Sequence, residues 1–348
     1  MSMFDILFES YTLKVVIVGT MLLGAVSGII GVFSVLRKQA LIGDALSHAA
    51  LPGVVLAFML TGAKDLYVLL IGAAVASAVS LMLMTVIKRY TPIKYDALLA
   101  LILSSFFGLG QVLLIFVQNS GNAAQAGLKT FIFGQAATML LRDVYLLIGI
   151  SIIVFLLVFL FWKELKLYIF NESFFISLGF KKYVMDFLLN TLLIVVIISG
   201  IRVVGVILMS ALLIVPAVSA RLLSHRLGMN VLLAAVFGMI SAFLGTLISA
   251  QVSNLATGPM IVVVLSGVAI FLLFFSPKRG LIKRSIEFRR LRRKVLQIKK
   301  IQMALNGQLP KEEYQSIVHR GYIVENGGVL TLSDEGLELI KQCDEEEE

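Results

Sequence analysis

Val35–Phe58 reads VLRKQALIGDALSHAALPGVVLAF, with Asp44 and His48 four residues apart just ahead of Pro52. Almost everything around this stretch is oil-like. Of the 348 residues, 59% are hydrophobic and 15% charged, and the mean hydropathy is +0.97. A soluble domain is nearer half apolar and a quarter charged. The excess is gathered in runs of about 20 residues with few charges, each long enough to cross a hydrocarbon core of roughly 30 Å. The chain therefore reads as an all-α polytopic membrane protein and not as a large soluble enzyme.

Working outward, the candidate spans are 12–36, 46–62, 66–87, 97–118, 143–162, 184–200, 203–223, 229–250 and 258–276. Nine crossings follow, or eight if the short segment near 41–62 does not cross fully. Basic loops mark the cytoplasmic side by the positive-inside rule: Lys88–Lys94, Trp162–Lys166 with Lys181-Lys182, and His225-Arg226. The Gly/Asn-rich loop from Gln118 to Lys129 and the turn from Asn254 to Pro259 face out. With nine spans the N-terminus is outside and the C-terminus cytoplasmic. The first residues lack the basic start and cleavage site of a signal peptide, so the first apolar segment is read as a retained span. Small residues recur inside the spans, Gly24 and Gly28 forming a GxxxG, as in tightly packed membrane helices.

Residues 1–277 are taken as the transmembrane domain, 278–305 as a basic amphipathic linker helix and 306–348 as a small module with an acidic end. Eleven of residues 278–300 are Lys or Arg; directly after the last span they fit membrane topology and anionic lipid better than nucleic acid. In the module, Tyr322–Val324 and Val329–Leu332 flank Asn326-Gly327-Gly328 as a hairpin would, between a helix starting near Pro310 and another capped at Ser333. The pattern is like part of a winged helix. Its few basic residues and the DEEEE terminus argue against a nucleic-acid partner. The single cysteine, Cys343, allows no internal disulfide or CxxC site.

On a helix, Asp44 and His48 lie at i and i+4 and project from one face, with Ser47 and Leu51 beside them. An aspartate at the centre of a membrane helix costs about 2.5–3.5 kcal/mol on insertion scales, and is kept where it faces a cavity, a partner or an ion. Pro52 withholds the N–H that the His48 carbonyl would otherwise receive, so the helix is expected to break or bend at Pro52-Gly53, as interrupted transporter helices do beside their sites. Pro216 does the same for the Leu212 carbonyl. Carboxylate plus imidazole suits Zn²⁺, Mn²⁺ or Fe²⁺ but is an incomplete set, since zinc takes four ligands. The same spacing also fits a plain ion pair, or an acid stabilising its own helix start.

Val35–Phe58 strongly resembles the signature of the ABC-3 class of bacterial importer permeases for Zn²⁺, Mn²⁺ and Fe²⁺. Val203–Val231 (VVGVILMSALLIVPAVSARLLSHRLGMNV) is a second match, and Ile169–Phe180 (IFNESFFISLGF) resembles the family's cytoplasmic coupling segment. The likeness spans roughly residues 10–280. It implies the fold of type II ABC importer permeases, a homodimer in the bacterial cytoplasmic membrane, and Asp44 and His48 in the metal path. It also implies a separate cytoplasmic ATPase subunit and an extracytoplasmic solute-binding protein. No GxxxxGK[ST] phosphate loop occurs in the chain, so ATP hydrolysis is not expected of it. The metal is cargo, not a permanent cofactor. In the coupling segment, Asn171 and Glu172 cap a short helix, Phe174–Leu178, ended by Gly179, with Phe174, Phe175 and Phe180 exposed for docking on the ATPase. Arg202, near the outer face, is expected to anchor a gate or meet a partner, since it would repel a cation. The rival functions are a permease of the same fold for a metal chelate such as cobalamin or a siderophore, a proton-coupled metal carrier, and a membrane-tethered sensor.

Overall fold

The computed structural model describes residues 11–62, 65–119, 134, 136–252, 255–276, 280–305, 322–326 and 329–333. Most of the outward loop from Gln118 to Lys129, Cys343, and the helices expected near Pro310 and after Ser333 lie outside the described residues. The chain forms two compact units, Met1–Leu273 and Phe274–Glu348.

The first unit is a bundle of α1 (Tyr11–Leu36), α2 (Ile42–Thr61), α3 (Leu66–Tyr90), α4 (Tyr95–Asn119), α5 (Leu141–Leu160), α6 (Trp162–Phe170), α7 (Glu172–Ser177), α8 (Lys182–Val204), α9 (Val206–Leu223), α10 (Leu227–Gln251) and most of α11 (Thr257–Phe275). Among the described residues, eight helices are long and apolar enough to cross a membrane. The ninth candidate falls short, and it is α9, whose apolar part is Leu208–Leu223, not the segment near 41–62. The reason is local. Helix α8 runs to Val204 and takes residues assigned above to the next span, and Gly205, at φ +95°, separates the two helices.

Helices α1 and α2 are the most enclosed. Helix α1 packs against α10, α9 and α5, and α2 against α3, α4 and α9. Without a hydrophobic drive between helices in lipid, close backbone approach has to supply the contact. A Cβ at Gly24 would sit 2.4 Å from the Gly238 carbonyl oxygen, one at Gly28 2.4 Å from that of Ala234, and one at Gly31 1.9 Å from that of Leu213. Between α2 and α3, a Cβ at Gly53 would lie 2.1 Å from the Gly72 oxygen. Polar contacts add to these seams: the Thr20 and Thr246 hydroxyls meet at 3.1 Å, and Ser77 Oγ donates to the Leu46 carbonyl. By contrast α3, α4, α5 and α11 bury only a minor part of their surface, leaving broad apolar faces such as Ile152, Phe155 and Phe159 on α5. Turns close by ordinary caps. Gly62 ends α2 at φ +63° with its N–H on the Phe58 carbonyl, and Asp65 accepts from the Tyr67 N–H to start α3.

Neither proline interrupts its helix, which corrects the expected breaks at Pro52-Gly53 and Pro216: α2 runs through Pro52 and α9 through Pro216. Close packing surrounds Pro52 in α2. Leu51 and the Pro52 ring abut Gly110 of α4, and Gly53 abuts Gly72.

In the second unit, α12 (Leu281–Leu305) carries the basic run, and β1 (Ile323–Asn326) pairs antiparallel with β2 (Val329–Leu332), placing Ile323 opposite Leu332 and Asn326 opposite Val329.

Candidate metal site

Helix α2 brings the two candidate ligands together as the spacing requires. His48 Nε2 lies 3.4 Å from Asp44 Oδ1, with the histidine side chain 12% exposed and the aspartate 30%. Asp44 occupies the first turn of α2, not its middle. The positive end of the helix therefore offsets part of the cost of its charge, and the burial penalty expected for a mid-span carboxylate is correspondingly smaller. Ser47, on the same face, is buried and donates to the Gly43 carbonyl at 2.6 Å, so its hydroxyl is already engaged. Among the described residues no third His, Cys, Asp or Glu joins the pair.

The imidazole is held by an aromatic neighbour. Phe107 of α4 meets it edge-to-face, centroids 4.7 Å apart at 81°, a favoured arrangement for two rings. His48 Nδ1 is buried without a hydrogen-bond partner. Metal-bound histidines usually give that second nitrogen to a carboxylate or carbonyl, which raises ligand basicity. Among the described residues the pair thus offers one carboxylate and one imidazole, with His48 Nδ1 lacking that support.

The expected coupling segment is a helix that starts two residues and ends one residue earlier than read from sequence. Asn171 Oδ1 accepts from the Phe174 N–H at 2.9 Å and starts α7, Glu172–Ser177. Gly179, at φ +86°, turns the chain back in a conformation that glycine adopts without penalty. Phe174 and Phe180 are about half exposed, but Phe175 is 1% exposed, which corrects its assignment to the exposed face. It stacks on Phe180 at 4.9 Å and tilts on Tyr168 at 5.4 Å. Ile176 and Leu178 take its place at the surface. Glu172 pairs with Lys182 across the segment.

Two polar clusters were not found by sequence reasoning. Asp186 of α8 accepts from the Tyr168 hydroxyl at 2.6 Å and pairs with Arg37 at the end of α1. Burial, then the bond to Asp186, holds the Tyr168 phenol well above its ordinary range, so it stays protonated and donates. This cluster links the base of α7, through α6 and α8, to the turn leading into the Asp44 helix. The second is the pair between Arg202 Nη1 and Asp143 Oδ1 at 2.7 Å, joining α8 to α5. Arg202 thus meets a partner within the chain. Lone acids near the ends of apolar runs were the available signal, because an ionisable group in a membrane helix implies a partner.

Compared with known proteins, residues 9–276 match the model of the ABC 3 transport family. The chain is 49% identical over 276 residues to the zinc transport system membrane protein TroC of Treponema pallidum, covering 79% of this chain and 93% of that one. It is 41% identical over 295 residues to the manganese transport system membrane protein MntC of Bacillus subtilis, covering 83% and 68%. Among solved structures, PsaBC from Streptococcus pneumoniae in complex with Fab aligns with a TM-score of 0.71 at 30% identity, over 81% of this chain and 98% of that chain.

Proposed function

Because this chain belongs to the ABC 3 transport family and is a multi-pass membrane permease, we propose that it carries a divalent transition metal (Zn²⁺, Mn²⁺ or Fe²⁺) into the cell through the Asp44–His48 pair. The observation that carries this reading is the pair itself: a carboxylate and an imidazole 3.4 Å apart on a buried apolar helix, with no further anionic ligand among the described residues. An extracytoplasmic binding protein presents the ion. Asp44 supplies the charge that compensates its lost water, and His48 the borderline nitrogen that prefers a transition metal to Ca²⁺ or Mg²⁺. Two donors, one lacking its usual hydrogen-bond support, keep the dwell short, as a conducting site requires.

The chain works as a homodimer in the bacterial cytoplasmic membrane with its C-terminus inside. A separate ATPase subunit hydrolyses ATP and engages α7 through Phe174, Ile176 and Leu178, the stub being set by Asn171, Glu172 and Gly179 and seated by Phe175. Residues 278–305 lie along the cytoplasmic membrane surface, and 306–348 form an appended module. The test is uptake of Mn²⁺ and Zn²⁺ by the assembled transporter carrying Asp44→Asn or His48→Gln. Uptake falls to background in both while the protein level in the membrane is unchanged; undiminished uptake in both refutes the reading. Dependence on internal ATP, and not on the proton gradient, separates it from a secondary carrier, and failure to carry cobalamin or ferric siderophores separates it from a chelate permease.

A further inference from the structure

At the end of the bundle that carries the basic Lys88–Lys94 turn, the first unit opens a cavity of about 820 Å³ between the α1–α2 turn, the last turns of α3, the start of α4, α6–α7 and the start of α8. Its charges do not balance. Arg37, Lys38, Lys88, Arg89 and Lys182 line it, against Glu172 and Asp186. Both carboxylates are already engaged, Asp186 by Arg37 and Glu172 by Lys182. Lys38, Lys88 and Arg89 therefore contribute uncompensated positive charge. Lys88 is held over the Tyr95 ring at 4.7 Å, which fixes its ammonium group at the cavity. Such a chamber repels a divalent cation, so it is not the release path of the proposed cargo. It attracts an anion.

The other wall is apolar. Leu81, Met84 and Phe187 line the same cavity on helices whose outer faces are exposed hydrophobic surface. Basic groups at one level and hydrocarbon at the next match an amphiphile with a phosphate head, and not a soluble anion. Basic pockets between membrane helices on the cytoplasmic side take acidic headgroups in this manner. We propose that this cavity is a binding site for the phosphate headgroup of an anionic glycerophospholipid, held by Lys38, Lys88 and Arg89 with its first acyl carbons against Leu81, Met84 and Phe187. Glu172 and Lys182 of the same wall belong to the coupling segment and its flank, so lipid occupancy bears directly on the position of α7. The inference rests on the orientation read from the basic loops and not on the metal site.

The test is native mass spectrometry of the purified full chain released from nanodiscs, without ATPase or metal, so that its outcome is independent of transport. Wild type retains phosphatidylglycerol and not phosphatidylcholine. Each basic side chain near an anionic headgroup is worth about fivefold in retention, so Lys88→Gln/Arg89→Gln lowers it by about 25-fold, while Lys163→Gln/Lys166→Gln, exposed basic residues outside the cavity, leaves it unchanged. Equal retention by the two double variants overturns the proposal, as does equal retention of the two lipids by wild type. Displacement of the lipid by millimolar inorganic phosphate overturns the lipid assignment in favour of the free ion. Melting curves of both variants matching wild type exclude misfolding as the cause of any loss.

Discussion

Gly53→Ala tests whether the helix carrying Asp44 and His48 is held by backbone contact with its neighbour. The added Cβ would stand 2.1 Å from the Gly72 carbonyl oxygen, 2.7 Å from its carbon and 2.6 Å from the Ala76 Cβ. An ordinary carbon–oxygen contact is about 3.3 Å or longer, so α2 and α3 have to part by roughly 1 Å along that line. No rotamer change relieves this, because the obstructing atoms are backbone and a Cβ. A gap of 0.5–1 Å forfeits about a quarter to a half of the dispersion attraction of the atoms that face it, and overpacking of this kind costs about 1–3 kcal/mol. That range is about 5- to 150-fold in the folding equilibrium. The assay is the thermal unfolding midpoint of the purified chain in detergent, with Mn²⁺ or Zn²⁺ uptake in parallel. Gly149→Ala is the control: it lies within α5, and a Cβ there meets nothing within 4 Å, so it leaves both readouts intact. If Gly53→Ala melts with wild type and transports normally, the seam does not hold the metal-site helix and the reasoning fails.

Removing the Arg202 charge with Arg202→Met leaves the Asp143 carboxylate, 10% exposed, with the Leu140 N–H and the more distant Arg142, and lowers stability by about 1–3 kcal/mol; adding Asp143→Asn recovers part of that loss in the same melting assay. Asn171→Ala deletes the cap of α7 at about 1 kcal/mol and reduces co-purification of the ATPase subunit while the permease remains membrane-inserted. Tyr168→Phe removes the donor to Asp186. Because the folded phenol is held above its unfolded value by burial and by that bond, its contribution to stability is constant up to about pH 10 and is lost above it, where the unfolded phenol ionises first. In Tyr168→Phe that alkaline fall is smaller, as read by urea unfolding across pH 8–11.

The architecture was legible wherever composition and short spacing carry the information. Runs such as Tyr11–Leu36 are too apolar for anything but membrane or core, and the pair at 44 and 48 needs only helical geometry to meet. The Asn171 cap was readable for the same reason, since its acceptor and donor are three residues apart. What escaped the sequence depends on distant partners. Arg37 and Asp186 are 149 positions apart, and nothing local says that one salt bridge joins them. Phe175 looked like its neighbours Phe174 and Phe180, because a six-residue helix shows too little periodicity to tell its buried face from its exposed one. Pro52 and Pro216 suggested breaks by their own chemistry, yet both helices continue through them, Pro52 among close contacts with α3 and α4. The boundary at Gly205 slipped because the charged Arg202 looked like the end of the apolar run, whereas the helix continues past it to Val204 with that charge met by Asp143.

The contacts of Gly24, Gly28 and Gly31 with α10 and α9 have a mechanical corollary. Main chains that touch carbonyl to α-carbon have no side-chain cushion between them, so they resist both sliding and separation. Helices α1, α9 and α10 accordingly form one stiff block. The Gly53–Gly72 approach ties α2 to α3 in the same way, so the helix that carries Asp44 and His48 shifts only together with α3.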